Sequence, residues 1–237
     1  MARERLDKLI ASQGTISRKD VKQIIRTGMI SVNGMPVVDP GLLVDIAKDT
    51  VAIEGVELDY KANIYIMMNK PEGVLSASTD KKAATVIDLL PEELQRKNLF
   101  PAGRLDKDTT GFMLITNDGD FSHRILSPKN HVVKTYEAEL ASAVTNMDIE
   151  SFAKGIVLED GTECMPATLE RLDNNYVRIR ICEGKFHQIK RMAAALGNEV
   201  LSLKRTGIGA LNLDNTLAPG ECREITKEEL RLITEEE

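Results

Sequence analysis

The sequence runs to 237 residues, 42% hydrophobic and 29% charged with a net charge of −6, which suits one large domain or a small domain joined to a medium one. No apolar run approaches the roughly 18 residues of a membrane helix, and the opening MARERLDKLIASQG lacks a signal-peptide core, so a soluble protein with no membrane partner is expected. Cys164, Cys182 and Cys222 are far apart without a C-x-x-C pair, and the three histidines lack ligand-like spacing; neither a disulfide framework nor a metal site is expected, and the cytoplasm is the natural location.

In chain order, Leu6, Leu9 and Ile10 have helical spacing that stops near Gly14. Ser17 is a good N-cap for a second helix, Arg18 to Thr27, closed by Gly28. Arg18, Lys22 and Arg26 share one face of it, with Lys19 beside them. These cations lie about 6 Å apart, near phosphate spacing, while Val21, Ile24 and Ile25 form a docking face. The stretch MISVNGMPVVDPG predicts a strand, an Asn33-Gly34 hairpin turn and a second strand ended by Asp39-Pro40-Gly41; DTVAIEG predicts another strand. Residues 1–26 hold seven Lys/Arg against three Asp/Glu, whereas the last fourteen residues, EITKEELRLITEEE, are glutamate-rich. The acidic total therefore leaves a basic front available to a polyanion. On physics alone, a merely solvated helix face accounts for these cations equally well.

A boundary is expected between Asp59 and Asn63, giving a small domain over 1–58 and a larger one over 59–237, the latter opening on the apolar run IYIMMNKPEGV. Farther on, Tyr136, Ala138 and Leu140 alternate with Thr135, Glu137 and Glu139. Val177, Ile179 and Ile181 alternate with Arg178, Arg180 and Cys182, as in strands with one covered face. HQIKRMAAALG reads as a helix with Ile189, Met192, Ala193 and Leu196 on one face and Gly197 at its end. Strands mixed with helices, without regular βαβ alternation, predict an α+β fold.

The segment GRLDKDTTGFMLITNDG, Gly103 to Gly119, carries Asp106 and Asp108 between glycines, with Arg104 just before and the apolar run Phe112 to Ile115 just after. Asp and Thr favour turns for backbone reasons alone. A calcium loop matches at Asp106, Asp108, Thr110 and Gly111 but has Asn117 where a bidentate glutamate is required. A phosphatase of the haloacid-dehalogenase type needs its aspartate at the end of a buried strand, and here the strand follows the aspartate. What remains is a carboxylate at the start of a rigid strand, kept ionised by a flanking cation.

That segment resembles the catalytic motif of the pseudouridine synthases, in the branch typified by the RsuA and RluB/E/F proteins. MNKPEGVLS (68–76), FSHRILSPKNHVVKTYEAEL (121–140), EGKFHQIKRMAAALGNEVLSLKRTGIGALNL (183–213) and LAPGECREIT (217–226) resemble further blocks of the branch in the same order. Roughly residues 3–55, with their basic second helix followed by GMISVNGMPV, resemble an S4 RNA-binding domain. The likeness covers nearly the whole chain except the glutamate-rich end. It implies a small S4-like α/β domain followed by a synthase domain with a mixed, mainly antiparallel sheet flanked by helices.

The resemblance implies an isomerase that detaches uracil from its ribose, turns it and reattaches it through carbon, using no cofactor and no metal. Asp106 maps onto the nucleophile, either bonding to C1′ or promoting elimination to a glycal. Arg104 fills the space of the extruded base or clamps a phosphate, and Tyr136 packs against the flipped uracil, although alternation alone suits a core or edge-strand aromatic. Lys190 maps onto the basic partner of the nucleophile, with Arg191 as its replacement if the register slips by one. Leu203 walls the uracil pocket and Arg205 reaches the RNA backbone, as do Arg18, Lys19, Lys22, Arg26 and Arg191, while His187 and Gln188 are structural. With aromatics at 4%, phosphate contacts and shape carry more of the recognition than extensive base stacking. The blocks most resemble RsuA, which implies a monomer acting on small-subunit 16S rRNA (the uridine-516 type) or on the assembling subunit. The alternatives are a large-subunit 23S rRNA synthase and a non-catalytic ribosome-assembly factor, the latter disfavoured by the intact Asp106 and Tyr136.

Overall fold

The computed structural model describes residues 3–234, so the last three residues of the glutamate-rich end lie outside the described residues. The chain divides into two compact units, one running through Ile64 and including Pro91–Leu99, the other comprising Tyr65–Leu90 and the chain from Phe100 onward. The sequence places the join at 58/59. The division falls at 64/65 because Leu58 and Tyr60 pack on the core of the first unit. Gln13 also clamps Lys61 there, donating from Nε2 to its carbonyl at 3.2 Å and accepting from its N–H at 2.9 Å.

The first unit contains β1 (Glu4–Arg5), α1 (Leu6–Ser12), α2 (Arg18–Arg26), β2 (Ile30–Val32), β3 (Met35–Val37), β4 (Leu43–Val44), β5 (Val51–Ile53) and β6 (Val56–Glu57). Among the described residues, β1 pairs with β4, and an antiparallel sheet has the order β3-β2-β5-β6. Ser17 caps α2 by accepting from the Asp20 N–H at 3.2 Å. Asn33 and Gly34 both take positive φ, 53° and 78°, as a two-residue hairpin with right-handed strand twist requires. The apolar spacing read from the sequence becomes a core of Leu6, Leu9, Val21, Ile25, Ile30 and Val44.

The second unit contains β7 (Tyr65–Lys70), β8 (Phe100–Pro101), β9 (Thr110–Thr116), α3 (Gly119–Leu126), β10 (Lys134–Leu140), α4 (Asn146–Lys154), β11 (Thr168–Arg171) and β12 (Tyr176–Ile181). It continues with α5 (Gln188–Ala195), β13 (Val200–Ile208), β14 (Leu211–Asn212), β15 (Cys222–Glu224) and α6 (Lys227–Thr234). One sheet follows the order β11-β12-β10-β13-β9-β7-β15, with β14 on β13 and β8 on β9. Every pairing is antiparallel except β13 with β9, so the sheet is mixed and mainly antiparallel. Phe112 to Ile115 form an unbroken apolar run because β9 is buried on both faces; its Phe112 and Leu114 meet Phe121 and Ile125 of α3 and Ile233 of α6. By contrast β10 and β12 alternate buried and part-exposed positions, as their sequences predict.

Gly111 decides where β9 sits. Its φ is +96°, and a Cβ there would lie 2.2 Å from the Arg205 carbonyl oxygen of β13. Only glycine lets the two parallel strands approach this closely, which brings the loop before β9 beside β10 and β13.

Candidate active site

The 105–109 loop is held by the MNKPEGVLS segment. Ser76 Oγ donates to the Leu105 carbonyl at 2.8 Å and accepts from the Leu105 N–H at 3.0 Å, and the Gly73 N–H reaches the Lys107 carbonyl at 2.8 Å. Lys70 is fully buried at the end of β7. Its ammonium donates to the carbonyls of Thr109 (2.9 Å), Pro71 (3.1 Å) and Lys107 (3.3 Å). Burial pushes the Lys70 pKa down to about 8, against the pull of Asp108 and Asp106. A buried cation that satisfies three loop carbonyls fixes the backbone from which Asp106 projects.

Asp106 is 27% exposed, with His187 Nε2 3.4 Å from Oδ1 and Lys190 Nζ 3.6 Å from Oδ2. Lys190 makes its short bonds to Asp108 instead, 2.6 and 2.7 Å to the two carboxylate oxygens. The hydrogen bond from Lys190 holds the Asp108 carboxyl below the usual range, against a smaller opposing effect of burial. Lys190 therefore bridges both aspartates, but its tighter hold is on the outer one. This partner and the His187 contact were not legible in the sequence, because α5 meets the loop only through the fold.

Arg104, Asp106, Tyr136, Lys190 and Leu203 line one cavity, so the five residues named from the resemblance as catalytic or substrate-binding converge. Arg104 is exposed at the rim, and the basic side chains within 4 Å of Asp106 among the described residues are Lys190 and His187 rather than the flanking arginine. Tyr136 and Leu203 are each 8% exposed, apolar walls on neighbouring strands β10 and β13. Lys134 at the start of β10 is buried and donates to the carbonyls of Ile125 (2.8 Å) and Val132 (2.7 Å), which anchors the strand carrying Tyr136. Burial, with Arg205 nearby, pushes its pKa down to about 8.

Several residues read as RNA contacts are placed otherwise. Arg205 is 3% exposed, and its Nε donates to the Phe112 carbonyl at 2.7 Å; it is turned into the sheet rather than toward a nucleic-acid backbone. Arg191 is turned to Asp160, with 2.5 Å between Nη2 and Oδ2, so it neither meets Asp106 nor offers a free guanidinium. One step along a helix rotates a side chain by about 100°, which is why Lys190 and Arg191 diverge. In the first unit Arg18 and Lys22 lie 2.8 and 3.7 Å from the carboxylate of Asp7, a fully buried residue, and Arg5 also bonds it. Burial alone would raise the Asp7 pKa, but hydrogen bonds from Arg5 and Arg18 hold it far below the usual range. Arg18, though bonded to Asp7, is still exposed, as are Lys19 and Arg26. No group of three or more His, Cys, Asp or Glu among the described residues is placed to hold a metal ion.

A family model described as RNA pseudouridylate synthase matches residues 64–195, and an S4 domain model matches residues 4–51. The chain is 49% identical over 235 residues to the uncharacterized RNA pseudouridine synthase YtzG of Bacillus subtilis (strain 168), with 98% of each chain covered. It is 42% identical over 228 residues to the ribosomal small subunit pseudouridine synthase A of Escherichia coli (strain K12), covering 95% of this chain and 98% of that one. A crystal structure of a pseudouridylate synthase superposes with a TM-score of 0.68 at 38% identity, covering 97% of this chain and 99% of the other. With the family model matched over more than half of the chain and these relatives matched over nearly all of it, the chain belongs to the RNA pseudouridylate synthase family of isomerases.

Proposed function

We propose that the protein isomerises one uridine of small-subunit 16S rRNA, of the uridine-516 type, working as a monomer in the cytoplasm with Asp106 as the reacting carboxylate. The observation that carries this reading is the cavity in which Asp106, Tyr136, Lys190 and Leu203 meet. A base must leave its stack to reach such a site, and a part-buried pocket with apolar walls of Tyr136 and Leu203 suits the face of uracil. Asp106 is partly withdrawn from water, and neither Lys190 nor His187 grips it tightly, so its lone pairs stay available to the sugar. The carboxylate acts at C1′ or draws a proton toward a glycal. In either route the N1–C1′ bond breaks, uracil turns, a C5–C1′ bond forms, the C5 proton is lost and N1 takes up a proton, so that the product is an isomer of the substrate. Arg104 at the rim is placed to take a phosphate or the space of the extruded base. The small-subunit assignment is supported by the likeness to the E. coli relative, a ribosomal small subunit pseudouridine synthase.

The test is chemical mapping of pseudouridine in 16S and 23S rRNA incubated with the purified protein and in rRNA from cells lacking it. One 16S position gained in the first and lost in the second is the expected result. A position in 23S rRNA moves the activity to the large subunit, and no new position in either RNA removes the reading.

A further inference from the structure

We propose that Phe186, stacked on His187, is a ledge for an RNA base flanking the target uridine and thereby registers the substrate over Asp106; this rests on reading the protein as an RNA uridine isomerase. Phe186 is 67% exposed, the most exposed aromatic ring among the described residues of a chain with five Phe, four Tyr and no Trp. A phenyl ring left in water forfeits its burial unless something covers it. Its ring centroid lies 3.8 Å from that of His187, with 20° between the planes. His187 in turn lies 3.4 Å from the Asp106 carboxylate, so the ledge is one side chain removed from the reacting group.

The ledge is rigidly mounted. Gln188 accepts from the Lys185 N–H at 2.9 Å and donates to Glu183 at 2.8 Å, and Glu183 accepts from the Met165 N–H at 2.8 Å. Gln188 and Glu183 are both buried, so the turn that bears Phe186 is latched from inside. His187 takes a left-handed backbone conformation, φ +47°, of the strained kind that persists only where surrounding structure enforces it. A preorganised aromatic ring beside a cation is the combination that grips single-stranded RNA, the ring meeting a base and the cation, here the exposed Arg104, meeting phosphate. The chain neighbours of Phe186 are the polar Lys185 and His187, which fits a nucleobase face better than an apolar protein surface.

The test compares kcat and KM of Phe186→Ala, Phe186→Leu, Phe186→Tyr and Phe186→Trp on whichever rRNA the wild-type protein converts, with melting temperatures as a folding control. Stacking of one base predicts an about tenfold rise in KM for the alanine variant, a similar rise for leucine, and near wild-type values for tyrosine and tryptophan. An unchanged KM in the alanine variant overturns the ledge while leaving the isomerase reading intact, and so does a leucine variant as good as wild type. A wild-type protein that converts no RNA removes the isomerase reading and the ledge with it.

Discussion

Asp7 in the first unit and Asp106 in the second each gather basic side chains around a carboxylate, with opposite geometry. Asp7 is fully buried and accepts from Arg18 at 2.8 Å and from Arg5 at 3.1 and 3.2 Å. Asp106 is 27% exposed, and His187 and Lys190 stand off at 3.4 and 3.6 Å, while that lysine makes its short bonds to Asp108. A buried carboxylate must have its charge matched and its lone pairs filled, or it costs stability. A reacting carboxylate needs the reverse: a field that keeps it anionic and lone pairs that remain open. Aspartate among basic side chains thus makes a structural knot in one unit and the proposed reactive centre in the other, and the difference lies in burial and in bond length.

The widest gap between the two is expected in the paired asparagine variants. Asp106→Asn keeps the shape and removes the charge, so turnover falls roughly 10⁴-fold with the melting temperature unchanged. Asp7→Asn leaves Arg5, Arg18 and Lys22 without their anion and destabilises the first unit by about 3–5 kcal/mol, read as faster hydrogen exchange across α1 and α2. Equal exchange in that variant breaks the claim that the Asp7 cluster is structural. Lys19 and Arg26 sharpen the contrast within one helix, because they lie outside the Asp7 knot and stay exposed. Replacing both by glutamate is expected to shallow the salt dependence of RNA binding by about 0.7–0.9 per lost phosphate contact, with kcat unchanged. An unaltered slope makes that face a solvated one.

The smallest effect belongs to an intermediate case. Arg223 bonds Glu229 at 2.7 and 2.9 Å and Asp214 at 2.6 Å, all three side chains being about a quarter to a third exposed. The hydrogen bond from Arg223 holds Glu229 down to about 2; bonds from Thr216 and then from Arg223 do the same for Asp214. Depressed carboxylates add stability that is full above their unfolded pKa values and is lost as pH falls from about 4.5 to about 2. Arg223→Met should lower Tm by about 2 °C at neutral pH and flatten this acid limb. An acid limb as steep as that of the wild type contradicts the assignment.

What the sequence made legible was local. The Ser17 cap, the Asn33-Gly34 hairpin, the doubly buried Phe112–Ile115 strand and the alternation around Tyr136 all follow from periods of 3.6 or 2 and from turn chemistry. The resemblance supplied Asp106, Tyr136, Lys190 and Leu203, and the fold brings them to one cavity. Residues whose partners come from elsewhere in the chain were not legible. Asp7 depends on Arg18 across a turn, and Lys70 ends an apolar strand where a lysine ordinarily faces water. Arg205 did carry a signal: it lies two residues from the inward Leu203, and strand alternation puts both on one face.

Asp106→Asn under single-turnover conditions on 16S rRNA, with RNA affinity measured in parallel, tests the central claim most directly. The expected result is no detectable pseudouridine at times when the wild type has converted its target fully, with affinity changed by less than about threefold. Pseudouridine formed at near wild-type rate by that variant contradicts it.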